Sequence, residues 1–382
     1  MADYKILSAD SHIIEPPDMY TSRIDPKFRE KAPRMERRTT VTGKEYDAWF
    51  LDGVQVATLG AFVQLELRFE DPSQIDFLGL WEHVKPAAYE PHAMVKELDT
   101  DNVWGAVLHP SQGCFWYRIE DSALLSAICR AQNDWIADFC KPYPGRLKGV
   151  AMLNVDDVAE ACLELERCAK LGAGAAMIPV YPLAHAPYGH PVYDRLWWTA
   201  QDLQIPLVMH LATNRGGIPG CEFTVNINEL TPAGRCNADY WARYSATAMI
   251  FSGAFERYPR LTVGIVEHEM AWMPHWLKMM DFIYTERPEV FTMGWRSREG
   301  MLPSDYWHRN MFGEFMEDAV AVRVRDVIGV DNMLWGNDFP HAESTWPKSI
   351  EFLAKIFAGV PDGDRRKITA DNAARIYRFD AK

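Results

Sequence analysis

Residues 5–15, KILSADSHIIE, combine the pattern of a short buried strand with two side chains that can bind a metal ion. The strand begins near residue 4 and delivers Asp10 and His12, two positions apart, at its end. Side chains at positions i and i+2 of a strand point to the same face of the sheet. A carboxylate and an imidazole that project together can therefore serve as two ligands of a divalent metal ion.

The alternation of apolar strand and amphipathic helix continues along the rest of the chain. Apolar segments near residues 6, 104, 150, 177, 208, 264, 312 and 334 predict eight strands, the second of which ends at His109. Continuous apolar strands separated by helices indicate a parallel sheet, and eight such units predict an α/β fold, a (β/α)8 TIM-type barrel. A doubly wound open sheet is the alternative. It is disfavoured because no Gly-x-Gly-x-x-Gly turn follows the first strand.

Two long irregular segments interrupt this alternation. They span about residues 15–91, after the first strand, and about residues 212–240, after the fifth. Long loops at such positions commonly form the walls or lids of a site. We therefore predict that residues 1–382 form a single barrel domain with long insertions after strands one and five.

Composition and charge exclude several classes of protein. The net charge of −13, from 40 basic and 53 acidic residues, argues against nucleic-acid binding, which favours a basic surface. The sequence has no apolar run long enough to cross a membrane, and its first residues do not have the pattern of a signal peptide. The seven cysteines include no Cys-x-x-Cys pair, so we expect no disulfide framework and a cytoplasmic location.

Three more side chains of metal-binding or acid–base chemistry stand at later strand ends. In a barrel of this kind, functional groups come from the C-terminal ends of the strands, whatever their separation in sequence. His210 follows the fifth strand, His268 the sixth and Asp338 the eighth. With Asp10 and His12, the residues His210 and Asp338 supply two imidazoles and two carboxylates. That set suits zinc, manganese or iron(II) better than calcium or magnesium.

Four motifs of the chain resemble the amidohydrolase superfamily. The similarity is to the branch related to aminocarboxymuconate-semialdehyde decarboxylase and the hydroxybenzoate decarboxylases, amidohydrolase family 2. The motifs are Asp10-Ser11-His12, Pro206-Leu207-Val208-Met209-His210, His268-Glu269-Met270-Ala271-Trp272-Met273-Pro274 and Trp335-Gly336-Asn337-Asp338-Phe339-Pro340-His341. The resemblance extends from Ile6 to about Tyr377 and implies the barrel fold for the whole chain.

The resemblance also implies roles for individual residues. Asp10 occupies a position where many relatives have histidine or glutamate, while His12, His210 and Asp338 match the other metal ligands. His268 matches the histidine that activates water or handles a proton in the decarboxylases. The glycine-rich run that follows this histidine in the family is replaced here by Glu269-Met270-Ala271, which predicts a different pocket floor.

The number of metal ions follows from the same comparison. Binuclear amidohydrolases place a bridging lysine or glutamate in strand four, where this chain has only Met177-Ile178-Pro179, so we predict a single ion. The residues chemically able to complete a second metal shell are Glu15, Glu267, His268, Glu269 and His341. Alternatively, Glu15 caps the segment that begins at Pro16-Pro17.

These observations predict a metal-dependent lyase or hydrolase that acts on a small organic or aromatic acid. The reaction would be non-oxidative decarboxylation or hydrolysis of a C–N, C–O or C–C bond, and the metal zinc or manganese, with iron as the alternative. His268 is the predicted general acid/base, and Asp338 is a ligand and proton relay. Arg68 and Arg215 are candidates for binding a substrate carboxylate, and Trp272 is a candidate for the pocket wall.

The sequence leaves two other classes of function open. Two histidines with carboxylates also hold redox-active iron or manganese, in one or two ions, as an oxygen-activating hydroxylase requires. The non-enzyme alternative is a catalytically silent barrel that acts as a partner subunit, although the intact ligand set argues against it. The resemblance further implies a homo-oligomer, or a hetero-oligomer with a related barrel.

Overall fold

The computed structural model describes residues 4–65, 67–215 and 231–380. Its strands are β1 Leu7–Ile13, β2 Arg34–Thr39, β3 Glu45–Leu51, β4 Val54–Thr58, β5 Gly105–Pro110, β6 Leu147–Met152, β7 Ala175–Ile178, β8 Leu207–His210, β9 Val263–Val266, β10 Met311–Phe315 and β11 Met333–Trp335. Its α-helices are α1 Met19–Arg23, α2 Leu67–Glu70, α3 Pro91–Thr100, α4 Gly113–Trp116, α5 Ser122–Cys140, α6 Val158–Lys170, α7 Asp194–Leu203, α8 Pro232–Cys236, α9 Tyr240–Phe251, α10 Ala254–Arg257, α11 Met273–Glu286, α12 Pro303–Asn310, α13 Ala319–Arg323, α14 Arg325–Ile328, α15 Ser349–Ile356, α16 Asp362–Arg366 and α17 Asn372–Tyr377.

Eight parallel strands form one sheet, in the order β1, β5, β6, β7, β8, β9, β10 and β11. This order confirms the predicted (β/α)8 barrel, because neighbours in the sheet follow one another along the chain with helices between them. The barrel strands are buried along nearly their whole length. Their apolar residues pack against the barrel interior on one face and against the surrounding helices on the other, which explains why they read as continuous apolar runs.

The helices between the strands are capped and amphipathic, as helix α6 illustrates. The Asp157 carboxylate accepts a hydrogen bond from the Glu160 backbone N–H at 3.0 Å and so pairs one of the free N–H groups of the first turn. Ala161, Leu165 and Cys168 are spaced three or four positions apart and are buried. This spacing forms one apolar stripe, which holds the helix against the sheet.

The first and last barrel strands, β1 and β11, meet without a regular ladder of backbone hydrogen bonds between them. The Asp338 N–H donates to the Asp10 carbonyl at 2.9 Å, and the His12 N–H donates to the Phe339 carbonyl at 2.6 Å. These bonds join β1 to the segment that follows β11. The barrel is therefore closed at the level of the residues that carry the predicted ligands.

A buried polar network reinforces this closure, and we call Ser8, Ser11, Asp101 and Asn337 the closing network. The Asn337 Oδ1 atom accepts hydrogen bonds from the Ser8 hydroxyl at 3.0 Å and from the Ser11 hydroxyl at 2.8 Å. Its Nδ2 atom donates to an Asp101 carboxylate oxygen at 3.1 Å. All four side chains are buried, so water cannot easily replace a hydrogen bond that one of them loses.

The predicted insertions differ in how much of them the structure describes. After the first barrel strand, β2, β3 and β4 form a small antiparallel sheet. Within the second predicted insertion, residues 216–230 lie outside the described residues. The assignment of the chain to a single domain stays a prediction.

Two further observations concern the described part of the chain. In these ranges no helix is both long enough and apolar enough to cross a membrane. The six cysteines that fall within them, Cys114, Cys129, Cys140, Cys162, Cys168 and Cys236, are free thiols. For these six residues, the thiols agree with the expected lack of a disulfide framework.

Replacing Asn337 by alanine tests the closing network. The Asn337→Ala change removes the amide that Ser8, Ser11 and Asp101 share as a buried hydrogen-bond partner, and each of the three loses one of its buried hydrogen bonds. We expect the free energy of unfolding, measured by urea denaturation, to fall by about 3 kcal/mol or more. The matched control is Asn237→Ala, which changes an exposed asparagine and should alter the same free energy by at most about 0.5 kcal/mol. Equal losses in the two variants would contradict a role in closure.

Candidate metal centre

The four side chains predicted as metal ligands meet at the C-terminal end of the barrel. The His12 Nε2 atom lies 3.3 Å from Asp10 Oδ1 and 3.3 Å from Asp338 Oδ1. The His210 Nε2 atom lies 3.6 Å from Asp10 Oδ1. Strands β1 and β8 and the segment after β11 supply these residues, and all four are buried.

Strand β1 continues past the point at which the sequence predicts its end. It runs to Ile13, so Asp10 and His12 lie within the strand and not after it. The register with β5 shifts between Ser8 and Ser11, where β1 has one extra residue. A bulge of this kind bends a strand and redirects its side chains, and here it lies beside Asp10.

The atoms that face one another in this cluster share an unusual property. Asp10 Oδ1, His12 Nε2, His210 Nε2 and Asp338 Oδ1 are all buried and have no hydrogen-bond partner among the described residues. Buried polar atoms without a partner are costly, and two buried carboxylates also repel each other. A divalent cation bound by the four atoms would remove both penalties.

The separations between these atoms also fit one cation. Metal–ligand bonds of about 2.1 Å place neighbouring donor atoms about 3.0–3.5 Å apart, for octahedral through tetrahedral geometry. The measured separations of 3.3 to 3.6 Å lie close to this range. These three separations are compatible with a divalent ion that has mixed nitrogen and oxygen ligands, and Asp338 joins the cluster through its contact with His12.

The remaining ring nitrogens orient the two histidines. His12 Nδ1 lies 3.3 Å from the Pro110 carbonyl, and His210 Nδ1 lies 3.0 Å from the Leu211 carbonyl. A carbonyl only accepts, so Nδ1 carries the hydrogen in each ring and Nε2 keeps its lone pair for a metal.

Burial and neighbouring groups shift the pKa values of the cluster in different directions. Burial lowers the pKa of His210, but Cys114 and Asp10 outweigh it and bring that pKa well above its usual value. Burial lowers the pKa of His12 to about 3 and keeps the imidazole neutral. Burial raises the pKa of Asp10, but the His109 and His12 imidazoles outweigh it and bring that pKa well below its usual range. Burial and the Asp10 charge raise the pKa of Asp338 well above its usual value. A cation between the two carboxylates would relieve this repulsion.

Two of the residues proposed for a second metal shell also reach this cluster. Glu267 Oε2 lies 3.4 Å from His210 Nε2, and His341 Nδ1 lies 2.9 Å from Asp338 Oδ1. Two groups of donor atoms result: Asp10, His12, His210 and Glu267, and His12, Asp338 and His341. Both groups contain His12, whose one available nitrogen can bind only one ion. This sharing favours one metal centre over two.

Glu15, another residue proposed for a second metal shell, makes its hydrogen bonds to a helix and not to the metal cluster. Its two carboxylate oxygens accept hydrogen bonds from the backbone N–H groups of Gln112 and Gly113, each at 2.9 Å, where α4 begins. Burial raises the pKa of this carboxyl to about 7. Glu15 thus caps a helix, as the alternative reading proposed, but the helix is α4 and not the segment at Pro16-Pro17.

His268 lies next to the cluster in a strained turn after β9. The flanking residues Glu267 and Glu269 have φ angles of 62° and 50°, a region that non-glycine residues rarely adopt. Neither ring nitrogen of His268 has a hydrogen-bond partner among the described residues, and burial lowers the pKa of the imidazole to about 3. His268 is therefore a neutral, buried imidazole with both nitrogens available.

Two neighbours of His268 stabilise the turn in different ways. The Trp272 indole N–H donates to the His268 carbonyl at 3.0 Å and to the Glu269 carbonyl at 3.1 Å. Glu269 Oε1 accepts from the Glu317 backbone N–H at 3.4 Å, and burial raises the pKa of this carboxyl to about 7. The observed contacts of Trp272 and Glu269 thus stabilise the loops around the site.

The two predicted carboxylate-binding arginines have different surroundings. The Arg215 guanidinium is buried, pairs with Asp156 and donates to the Tyr117 and Ile119 carbonyls, so its donors already have partners. Arg68, in α2, donates to the Glu317 carboxylate and to the Glu343 carbonyl.

Arg68 is also close to the metal cluster. Its side chain is 21% exposed, and its charge is felt at Asp338. Arg235, in the second insertion, contacts the Glu343 carboxylate at 3.4 Å. Arg68 and Arg235 therefore approach the segment after β11 from different insertions.

Two buried residues beside the cluster, His109 and Glu314, were not predicted from the sequence to belong to the site. His109 pairs in register with His12, and its Nε2 atom lies 3.7 Å from Asp10 Oδ1. Its position at the end of a predicted strand was the available signal. Glu314 lies within β10, and its Oε2 atom accepts from the Glu267 N–H at 3.1 Å. A single glutamate inside an apolar strand gave no comparable signal.

Gly336 allows Glu314 and Asp10 to pack closely beneath the centre. A Cβ atom at residue 336 would lie 2.2 Å from Glu314 Oε1 and 2.8 Å from the Asp10 backbone nitrogen. Both distances are below any normal contact, so a side chain at this position would displace β1 or β10. The absence of a side chain is therefore a requirement of the site.

Comparison with known proteins identifies similar chains. Gamma-resorcylate decarboxylase from Polaromonas sp. (strain JS666 / ATCC BAA-500) is 25% identical over 291 residues, which are 68% of this chain and 79% of that protein. A crystal structure of an amidohydrolase from Mycobacterium avium subsp. paratuberculosis K-10 superposes with a TM-score of 0.76 at 18% identity, covering 99% of this chain and 98% of that one.

A second crystal structure shares the fold and holds a metal. It is a dihydroxybenzoic acid decarboxylase from Polaromonas sp. JS666 with bound manganese and the inhibitor 2-nitroresorcinol. Its TM-score is 0.65 at 17% identity, covering 99% of this chain and 98% of that one. At this identity the likeness supports the fold.

A family model described as amidohydrolase matches residues 111–379, which is more than half of the chain. The match confirms the resemblance predicted from the four motifs. It also confirms the predicted class, an enzyme of the amidohydrolase type. The chain therefore belongs to the amidohydrolase family.

Proposed function

We propose that this protein is a metal-dependent decarboxylase of a hydroxylated aromatic acid. The observation that carries the proposal is a cluster of four buried donor atoms without hydrogen-bond partners, from Asp10, His12, His210 and Asp338, in which His12 lies 3.3 Å from both carboxylates and belongs to both groups of donor atoms. The relatives that share the fold or the family and are named as decarboxylases of such acids support this reaction over hydrolysis. The donor set alone serves either reaction.

Asp10, His12, His210 and Asp338 would hold the metal. When bound, a divalent cation orients and polarises the oxygen atoms of an acid that carries a neighbouring hydroxyl group. Manganese is the metal we propose, with zinc as the alternative. Manganese suits a carboxylate-rich site, and the related dihydroxybenzoic acid decarboxylase holds it.

His268 would handle the proton. Burial keeps its imidazole neutral, so it must first accept a proton, from the substrate hydroxyl or from water, before it can deliver one. Delivery goes to the ring carbon that bears the carboxylate. The ring electrons form the new C–H bond, the bond between that carbon and the carboxylate then breaks, its electron pair returns to the ring, and CO2 leaves. Asp338 lies beside the reacting group as a ligand and can relay the proton.

Arg68 is our candidate for binding the substrate. Its guanidinium is partly exposed beside Glu343, and the charge of Arg68 is felt at Asp338. A planar guanidinium can bind a carboxylate through two parallel hydrogen bonds. Arg68 also has partners, the Glu317 carboxylate and the Glu343 carbonyl, but unlike the buried Arg215 it is partly exposed and can exchange them for a substrate, so we assign the substrate contact to Arg68.

No specific observation favours the other two function classes. An oxygen-activating two-metal site would need separate donors for each ion, whereas the two donor groups share His12. A silent partner subunit would not need the buried donors to converge. The oligomeric state and the cytoplasmic location stay predictions.

Metal analysis tests the centre. Protein purified without chelator should hold about one equivalent of manganese or zinc, measured by elemental analysis. The ion should be lost in Asp338→Ala, which removes a ligand, and retained in His268→Ala, which does not. Two equivalents of iron or manganese, both dependent on His268, would contradict the proposal and favour oxygen activation.

Product analysis tests the reaction. With gamma-resorcylate and other hydroxybenzoic acids as probes, we expect CO2 release and one solvent deuterium on the ring carbon in deuterated water. His268→Ala should lower kcat by about 10²–10⁴-fold with metal content unchanged, because proton transfer is lost. His275→Ala, which changes an exposed histidine near the same turn, should retain activity. A product that keeps its carboxyl group would exclude decarboxylation.

Steady-state kinetics test Arg68. Loss of a charge-assisted pair in Arg68→Ala should raise KM about 10- to 100-fold with a smaller effect on kcat. Arg68→Lys should lie between, since an ammonium keeps the charge without the planar fork. Arg29→Ala removes an exposed arginine from the same insertion and should leave KM unchanged. An unchanged KM in Arg68→Ala would rule out the contact.

A further inference from the structure

His341 occupies a bridging position between the metal cluster and a neighbouring strand. Its Nδ1 atom lies 2.9 Å from Asp338 Oδ1, and its Nε2 atom lies 2.9 Å from the Ser111 hydroxyl oxygen. Ser111 directly follows strand β5. His341 thus lies between the β5 loop and the proposed ligand on the β11 side of the barrel, hydrogen-bonded to Ser111 and in close contact with Asp338, whose Oδ1 atom remains without a hydrogen bond.

The ring of His341 packs against two other rings. It stacks on the His12 ring with centroids 3.9 Å apart and an interplanar angle of 30°, and it contacts Phe62 at 4.8 Å. The residue is only 8% exposed. A ring packed in this way has little freedom to turn and can hold the groups that it touches in a fixed orientation.

The backbone fixes the same geometry. The His341 N–H donates to the Asp338 carbonyl at 2.9 Å, and the Ser344 N–H donates to the His341 carbonyl at 3.0 Å. Asp338 itself has a φ angle of 54°, a conformation that persists only where the surroundings impose it. His341 is thus part of the turn that holds Asp338 in this conformation.

We propose that His341 is a positioning residue that orients the Asp338 carboxylate and the His12 imidazole toward the metal ion. Ser111 acts through His341, by holding the ring at Nε2. This inference rests on the proposed metal centre, and it assigns to His341 and Ser111 a role that neither the motifs nor the family membership gives them. Residues that orient metal ligands typically change metal affinity without being ligands themselves.

Metal affinity is the readout that tests this role. We would titrate metal-free protein with Mn2+ and record the dissociation constant, beside the absorption spectrum of the Co2+-loaded protein. His341→Ala should weaken Mn2+ binding about 10- to 100-fold and shift the Co2+ bands without abolishing them. His341→Asn keeps an amide near the Nδ1 position and should recover part of the affinity, whereas His341→Gln, which places its amide near Nε2, should recover less.

A double-mutant cycle tests the path through Ser111. Ser111→Ala should weaken Mn2+ binding in the wild-type background and should have no further effect when His341 is already alanine, because its action needs the ring. His308→Ala changes an exposed histidine and is the control for both readouts. Circular dichroism of each variant checks that the fold is kept.

Each outcome has a defined meaning. Wild-type affinity in His341→Ala would overturn the positioning role while leaving the metal centre intact. Complete loss of binding, equal to that of Asp338→Ala, would also overturn it, because His341 would then be a ligand. Additive losses in the cycle would overturn the action of Ser111 through His341. If the wild-type protein bound no Mn2+ and no Zn2+, the proposed function itself would fail, and the positioning role with it.

Discussion

The structure depends on two carboxylates that are buried in the same small volume. Asp10 and Asp338 each lie 3.3 Å from the His12 Nε2 atom, at the place where the first and last barrel strands meet. Two buried like charges are unstable without a compensating cation. The donor atoms without hydrogen-bond partners and the raised pKa of Asp338 both reflect the burial of this pair.

The residues that close the barrel are also the residues that form the site. The backbone bonds that join β1 to the segment after β11 involve Asp10, His12 and Asp338 themselves. The closing network lies directly beneath them and uses Asn337, the neighbour of Asp338. In most barrels the site is carried by loops on a finished scaffold. Here Asp10, His12 and Asp338 also make the backbone hydrogen bonds that close the barrel, so the fold and the site have to form together.

Much of this arrangement could be predicted from the sequence, for identifiable physical reasons. Parallel barrel strands are buried on both faces, so they appear as continuous apolar runs, and all eight were found. Polar residues at the ends of such runs stand out, which is how His210 and Asp338 were predicted to lie near His12. The same rule applies to His109, which ends the second predicted strand but was not included among the predicted site residues.

The missed features depend on residues that only the folded chain brings together. Glu15 caps a helix that begins almost a hundred positions later, and Arg215 is neutralised by Asp156 from another loop. Gly336 is needed because Glu314 approaches it from the adjacent strand. Such contacts leave no periodic pattern in the sequence, and each residue type has many other uses. The candidate ligands could therefore be predicted from the sequence more readily than the residues that support them.

The shared attachment of both insertions to Glu343 has an evolutionary consequence. Arg68 of the first insertion binds its backbone carbonyl, and Arg235 of the second binds its carboxylate. A substitution in one insertion therefore moves the residue against which the other is seated. Changes in the two segments should show epistasis, with the effect of each depending on the state of the other. Diversification of substrate range in proteins built this way would then proceed through paired changes in both insertions, while the ligand residues stay as they are.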